Sequence, residues 1–270
     1  MCTLIIGRDV VAPGTLALAA NRDEDPRRPS DPPRVLLAAP RVVGGRDRVA
    51  GGSWLVVRDG RAVVAILNRG GVPAVSGVRS RGLLALDVAA AVGAADPAGA
   101  DPPPLRPGGL SGAALARAWG EASSGCFAPF SLVFASLPSC WVLSLRRDAP
   151  PSVEEIPAGW HVLTHADLDD PDEPRTSWLR RGLADWRPAD AAEAERGLIA
   201  RLRHHAGEAG NRATPAVCIH EGGARTVSAA VVWLDPTGAR YRHAEGPPCE
   251  RPFDDYSHLL AGDRPAPETT

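Results

Sequence analysis

Cys2 carries the most chemistry of any residue in the 270-residue chain. Its small side chain permits removal of Met1, which would leave one residue holding both a thiol and a free α-amine. The unperturbed amine titrates at about 7.7 to 8.0 and the thiol at about 8.5, so near neutrality the amine can take up the thiol proton. Twenty residues on, Asn21-Arg22-Asp23-Glu24 follows the apolar run Leu16 to Ala20. If the two segments form a hairpin, the far end of the second strand returns beside the start of the first and places Arg22 and Asp23 near Cys2. There Arg22 would favour the thiolate and Asp23 would orient the ammonium.

The other four cysteines, Cys126, Cys140, Cys218 and Cys249, are scattered and form no C-x-x-C pair. They read as small buried hydrophobes, with neither a disulfide frame nor a metal site expected. His204 and His205, with Arg201 and Arg203 nearby, read as a solvated helix face. Trp54 follows Gly51-Gly52, which lets another backbone approach closely; it reads as core, with a pocket wall as its other role.

The acids and bases nearly balance, at a net charge of -2 and a pI near 6.4, and all thirty basic residues are arginine. Interleaved charges of this kind argue against nucleic acid as a partner. The apolar patch Leu4 to Ile6 is too short for a signal-peptide core, and no run approaches the roughly 18 residues of a membrane span. A cytoplasmic protein is expected. At 44% hydrophobic residues the chain can form a substantial core.

The elements that must position these residues follow from pattern. Thr3 to Ile6 and Thr15 to Ala20 read as a hairpin around Val11-Ala12-Pro13-Gly14. A second hairpin, Trp54 to Arg58 with Ala62 to Leu67, turns at Asp59-Gly60. Helices are expected over Arg81 to Ala94 and Leu110 to Ala122, with the Pro- and Gly-rich stretch between them as a surface loop. Strands follow at Ser131 to Ser136, Trp141 to Leu145 and His161 to Thr164. Two more helices cover Thr176 to Asp185 and Ala189 to His205, with Pro188 at the start of the latter. The chain closes with strands at Ala216 to His220, Arg225 to Leu234 and Ala239 to Arg242, then a polar tail. Strands and helices grouped without strict alternation argue for an α+β fold of antiparallel sheets covered by helices. One domain over 1–262 with a tail over 263–270 is expected.

Met1-Cys2-Thr3-Leu4-Ile5-Ile6, Leu18-Ala19-Ala20-Asn21-Arg22-Asp23-Glu24 and Arg28-Pro29-Ser30 resemble the opening of the NRDE-motif family, also called the Transport and Golgi organisation family. Gly51-Gly52-Ser53-Trp54-Leu55, Leu67-Asn68-Arg69 and Ser80-Arg81-Gly82 are similar to its later elements. Phe130-Ser131-Leu132 and Ala224-Arg225-Thr226-Val227-Ser228 match more loosely. The resemblance implies a four-layer αββα sandwich of the N-terminal-nucleophile hydrolase type, whose cysteine members cleave amide or other acyl bonds. It further implies that Asn68, ahead of Arg69-Gly70-Gly71, helps form an oxyanion hole, although a plain turn residue is the other reading. By the same likeness Arg225 would be a late arginine reaching the site, with a solvated strand edge as its alternative. Asn21 and Trp54 would serve as binding residues.

Two departures stand out. The cysteine hydrolases usually separate the corresponding arginine and aspartate by two residues, whereas Arg22 and Asp23 are adjacent. Leu163-Thr164-His165 replaces a Leu-Ser-Asn stretch, so a polar contact there falls to His165 or is lost. The resemblance leaves two functions: a Cys2-dependent hydrolase of a small-molecule acyl substrate that requires no cofactor, or a carrier of haem or a lipid ligand in intracellular trafficking. The seven histidines and Cys2 offer axial ligands for haem, without a C-x-x-C-H attachment motif.

Overall fold

The computed structural model describes residues 2–70, 78–91, 104–207 and 214–261. The first sheet is built of β1 (Thr3–Arg8), β2 (Leu16–Glu24), β10 (Gly159–Leu163), β11 (Arg225–Asp235), β12 (Gly238–Ala244) and β13 (Asp254–Asp255), in the order β10-β1-β2-β11-β12-β13. The second sheet runs β3 (Ser30–Leu37), β4 (Val42–Asp47), β5 (Leu55–Arg58), β6 (Ala62–Asn68), β7 (Phe130–Ser136), β8 (Ser139–Leu145) and β9 (Ser152–Glu155) in chain order. Every pairing in both is antiparallel.

Strand pleating sorts each strand's residues into two layers. On β1 and β2, Leu4, Ile6, Leu16 and Leu18 pack between the sheets with Val57, Val63 and Val133 of the second sheet. The alternate residues Ile5, Ala17 and Ala19 pack outward under α3 (Pro174–Leu183) and α4 (Ala191–Leu202). On the far side, Val56, Val64 and Phe134 face α1 (Arg81–Ala90) and α2 (Gly109–Ser123). The result is the αββα sandwich, with both faces of each sheet covered.

Both expected hairpins form, and Asp59 and Gly60 adopt the positive φ values of 49° and 61° that such a tight turn needs. The second strand runs on to Glu24, so the polar quartet lies within the sheet. Several expectations are corrected. β3 and β4, unread in sequence, complete one edge of the second sheet; their Pro, Gly and Arg content hides the alternation. Ala216 to His220 is not a strand: the backbone N–H groups of Val217 and Cys218 both donate to the His204 carbonyl at the end of α4, which keeps this segment out of the ladder. Pro188 precedes the cap of α4, where Asp190 accepts the Glu193 N–H at 2.7 Å. Most of the expected loop after α1 and the polar tail lie outside the described residues.

Candidate active site

The β1–β2 register pairs Thr3 with Asn21 and so carries Cys2 to the mouth between the sheets, beside Arg22 and Asp23. The Cys2 thiol donates to the Asp23 carbonyl at 3.8 Å. The two side chains that follow Asn21 then part company, because alternate residues of a strand face opposite sides. Arg22 turns to the inter-sheet mouth, where its guanidinium lies 4.3 Å over the Trp54 ring and 3.4 Å from the Asp47 carboxylate. Asp23 turns the other way and its carboxylate is fully buried. It accepts from the Thr226 hydroxyl at 2.7 Å and from Arg175 Nη1 at 3.4 Å, while the same Arg175 nitrogen donates to the Thr3 hydroxyl at 2.7 Å.

Local sequence explains how these partners arrive. Pro174 opens α3 and Glu173 caps it by accepting the Thr176 N–H at 2.6 Å, which fixes Arg175 in the first turn. A register shift between Thr226 and Ser228 of β11, opposite Asp23 and Arg22, turns Thr226 onto Asp23. Asp47 ends β4 and accepts Arg28 Nε at 2.6 Å together with the Val49 and Ala50 N–H groups, each at 2.9 Å.

Cys2, Arg22, Asp23, Trp54 and Asn68 line one cavity of about 340 Å³. Arg81, at the start of α1, lines it too and is held by the Pro129 carbonyl at 3.0 Å. Trp54 is both core edge and wall, with Gly45 directly beneath its ring. Burial, seconded by the Asp23 charge, pushes the Cys2 thiol up, and the opposing pull of Arg22 is smaller. Arg22 does pull towards the thiolate as expected, but desolvation outweighs that pull. Burial also pushes the Asp23 carboxyl up, against the pull of the N-terminal ammonium, Thr226 and Arg175. Desolvation lowers Arg22 and Arg81.

Three predicted binding residues lie apart from this cavity. Asn21 points to the helical layer, where its amide donates to the carbonyls of Leu202 at 2.9 Å and Val217 at 3.0 Å. Its side chain falls on the opposite face from Arg22, as the strand period requires. Arg225 is exposed on the strand edge opposite Glu24, and its neighbour Thr226 is the residue that reaches inward. His165 is not among the lining residues: its carbonyl accepts the Gly70 N–H at 3.2 Å, and burial lowers its imidazole. Sequence reasoning missed Arg175 and Asp47 altogether and gave no role to Thr226, which stood within a quoted motif. Arg28 and Arg81 stood within quoted motifs, but nothing in the spacing tied Arg175 to a strand 152 positions earlier.

The model for the family described as Transport and Golgi organisation 2 matches residues 1–206. The chain belongs to that family. No curated protein matches it. Among solved structures, it is similar to a Caenorhabditis elegans N-acylethanolamine-hydrolyzing acid amidase ortholog, with 14% identity over 85% of this chain and 92% of the other and a TM-score of 0.52. It is also similar to a variant of conjugated bile acid hydrolase from Clostridium perfringens, at 11% identity over 97% and 95% of the two chains, with a TM-score of 0.49. At 14% identity the likeness to the amidase is one of fold, and that fold is the N-terminal-nucleophile hydrolase sandwich. This family member brings its second residue to one cavity with Arg22, Asp23 and Glu24 of its second strand. Among the described residues no helix is long and apolar enough to cross a membrane.

Proposed function

We propose that this chain is an N-terminal-nucleophile-type cysteine hydrolase acting on an amide or thioester bond of a small molecule. The convergence of Cys2, Arg22, Asp23 and Asn68 on one cavity carries the reading. With Met1 removed, the Cys2 sulfur attacks the acyl carbon while its α-amine accepts the thiol proton. Asn68 donates to the oxyanion that forms on the carbonyl oxygen. Collapse breaks the C–N or C–S bond, and the amine returns its proton to the leaving group. Water then adds to the thioester, releases the acid and restores the thiol. A thiol pushed up by burial needs a base for attack, and the α-amine of the same residue supplies one. Likeness to an amide-cleaving enzyme of the same fold supports acyl chemistry.

The alternative, haem or lipid-ligand carriage, meets a specific feature of the cavity. Its described lining holds Cys2 and no histidine, so a haem seated there would rely on Cys2 and not on an imidazole. The test is intact-mass analysis, followed by acyl-substrate hydrolysis and haem titration on the native chain, Cys2→Ser and Asn68→Ala. Loss of Met1, abolished turnover in Cys2→Ser and a fall of roughly 10²–10³ in kcat for Asn68→Ala are expected. Retained Met1, or haem bound equally by native and Cys2→Ser protein with no substrate cleaved by either, would sink catalysis.

A further inference from the structure

A second cluster of reactive side chains stands on the helical side of the first sheet. It draws on three segments distant in sequence: His205 just past α4, Cys218 and His220 in the loop before β11, and Cys249 in the loop after β12. Its ligand atoms all lie within 4.8 Å of one another. We propose that these four residues are the closed ligand set of a structural transition-metal ion of the zinc class.

The distances carry the argument. Around a tetrahedral zinc with bonds of about 2.3 Å to sulfur and 2.0–2.1 Å to nitrogen, the edges of the tetrahedron are about 3.8 Å for S–S, 3.6 Å for S–N and 3.3 Å for N–N. The structure has Cys218 Sγ to Cys249 Sγ at 3.6 Å, Cys218 Sγ to His220 Nε2 at 3.5 Å, His220 Nε2 to Cys249 Sγ at 3.1 Å, and His205 Nε2 to His220 Nε2 at 3.2 Å. Four of the six edges thus lie within about 0.5 Å of the values for a zinc shell, and the two from His205 to the sulfurs lie within 4.8 Å. The sulfur pair is also far from the roughly 2.05 Å of a disulfide.

The outer shell agrees. His220 turns Nε2 to the cluster and Nδ1 to the Glu250 carboxylate at 3.5 Å, the carboxylate–imidazole arrangement that orients a metal-bound histidine. Two thiolates and two imidazoles suit zinc in chemistry, and four protein ligands leave no open position, so the ion would be structural. Binding would release the two thiol protons to solvent.

The loops that carry the ligands are already pinned to one another. His204 O accepts from Val217 and Cys218, and Arg203 Nε donates to Pro248 O at 2.8 Å. From there Ile219 N–H donates to the Thr226 hydroxyl at 2.9 Å, and that hydroxyl donates on to Asp23. The ion would thus brace the loop behind the buried carboxylate of the Cys2 cavity while remaining independent of the chemistry proposed there.

The test is elemental analysis of the full-length native chain purified under reducing conditions, with the zinc then exchanged for Co²⁺. About one metal ion per chain is expected, and the Co²⁺ form should show thiolate-to-cobalt charge transfer with the visible absorption of tetrahedral coordination. Cys249→Ser and His220→Asn should lose at least nine-tenths of the bound metal, whereas Cys126→Ser and Cys2→Ala should keep it. Should the ligand variants fail to fold, the cobalt spectrum of the native chain decides alone. A native chain that takes up neither Zn²⁺ nor Co²⁺, a Cys218–Cys249 disulfide in the reduced preparation, or metal lost on Cys2→Ala would each overturn the assignment.

Discussion

At the scale of single residues, the buried Asp23 carboxylate is a costly feature of the candidate site. Removing a charge from water is tolerable only while partners remain, and Arg175 supplies the opposite charge. Arg175→Met should therefore destabilise the chain by roughly 3–5 kcal/mol, by taking one cation from a buried carboxylate. Pairing it with Asp23→Asn should recover most of that loss. Urea unfolding of both variants measures this, and an additive double variant would show that the two groups do not interact. The identities of Cys2, Arg22 and Asp23 as one group were legible in the sequence, since a hairpin of known span brings them together by arithmetic alone. Their electrostatics were not, because burial decides the direction of the Cys2 thiol and burial is set by the opposing sheet.

At the scale of elements, the cavity wall depends on how closely α1 docks on the loop before β5. Ser53 N–H donates to the Gly82 carbonyl at 3.0 Å, and a Cβ on Gly52 would stand 2.2 Å from the Gly82 carbonyl carbon. Neither partner is a side chain that can swing aside. Gly52→Ala should cost about 1–3 kcal/mol through overpacking and displace the start of α1, where Ser80 and Arg81 line the cavity. Gly223→Ala meets nothing within 4 Å and should stay within about 0.5 kcal/mol of the native chain. Thermal unfolding of the pair distinguishes close docking from a general glycine effect. The Gly51-Gly52-Ser53-Trp54 stretch pointed to such an approach in sequence, but only the fold shows that the approaching backbone is the N-terminus of α1.

At the scale of the whole molecule, His243 sets an acid limit. It is buried in β12 with its ring perpendicular to those of Tyr241 and Tyr256, and desolvation lowers it to about 4 from its usual 6.5. A group with a lowered folded value binds fewer protons folded than unfolded, so its contribution is fully present above pH 6.5. It is lost as pH falls towards 4, by an amount on the order of 3 kcal/mol. His243→Phe should flatten the decline in Tm across that window, and an unchanged slope would assign the acid loss elsewhere. By itself the sequence determined the layered α+β class, both hairpins, the four helices and the pairing of Cys2 with Arg22 and Asp23, because each depends on local period or on the reach of one turn. Only the tertiary structure decided that Asn21 faces the helices, that Arg175 and Thr226 hold Asp23, and that His205, Cys218, His220 and Cys249 meet. Those contacts join segments far apart in sequence, and they exist only after two sheets have closed on one another and chosen which alternate side chains go inside.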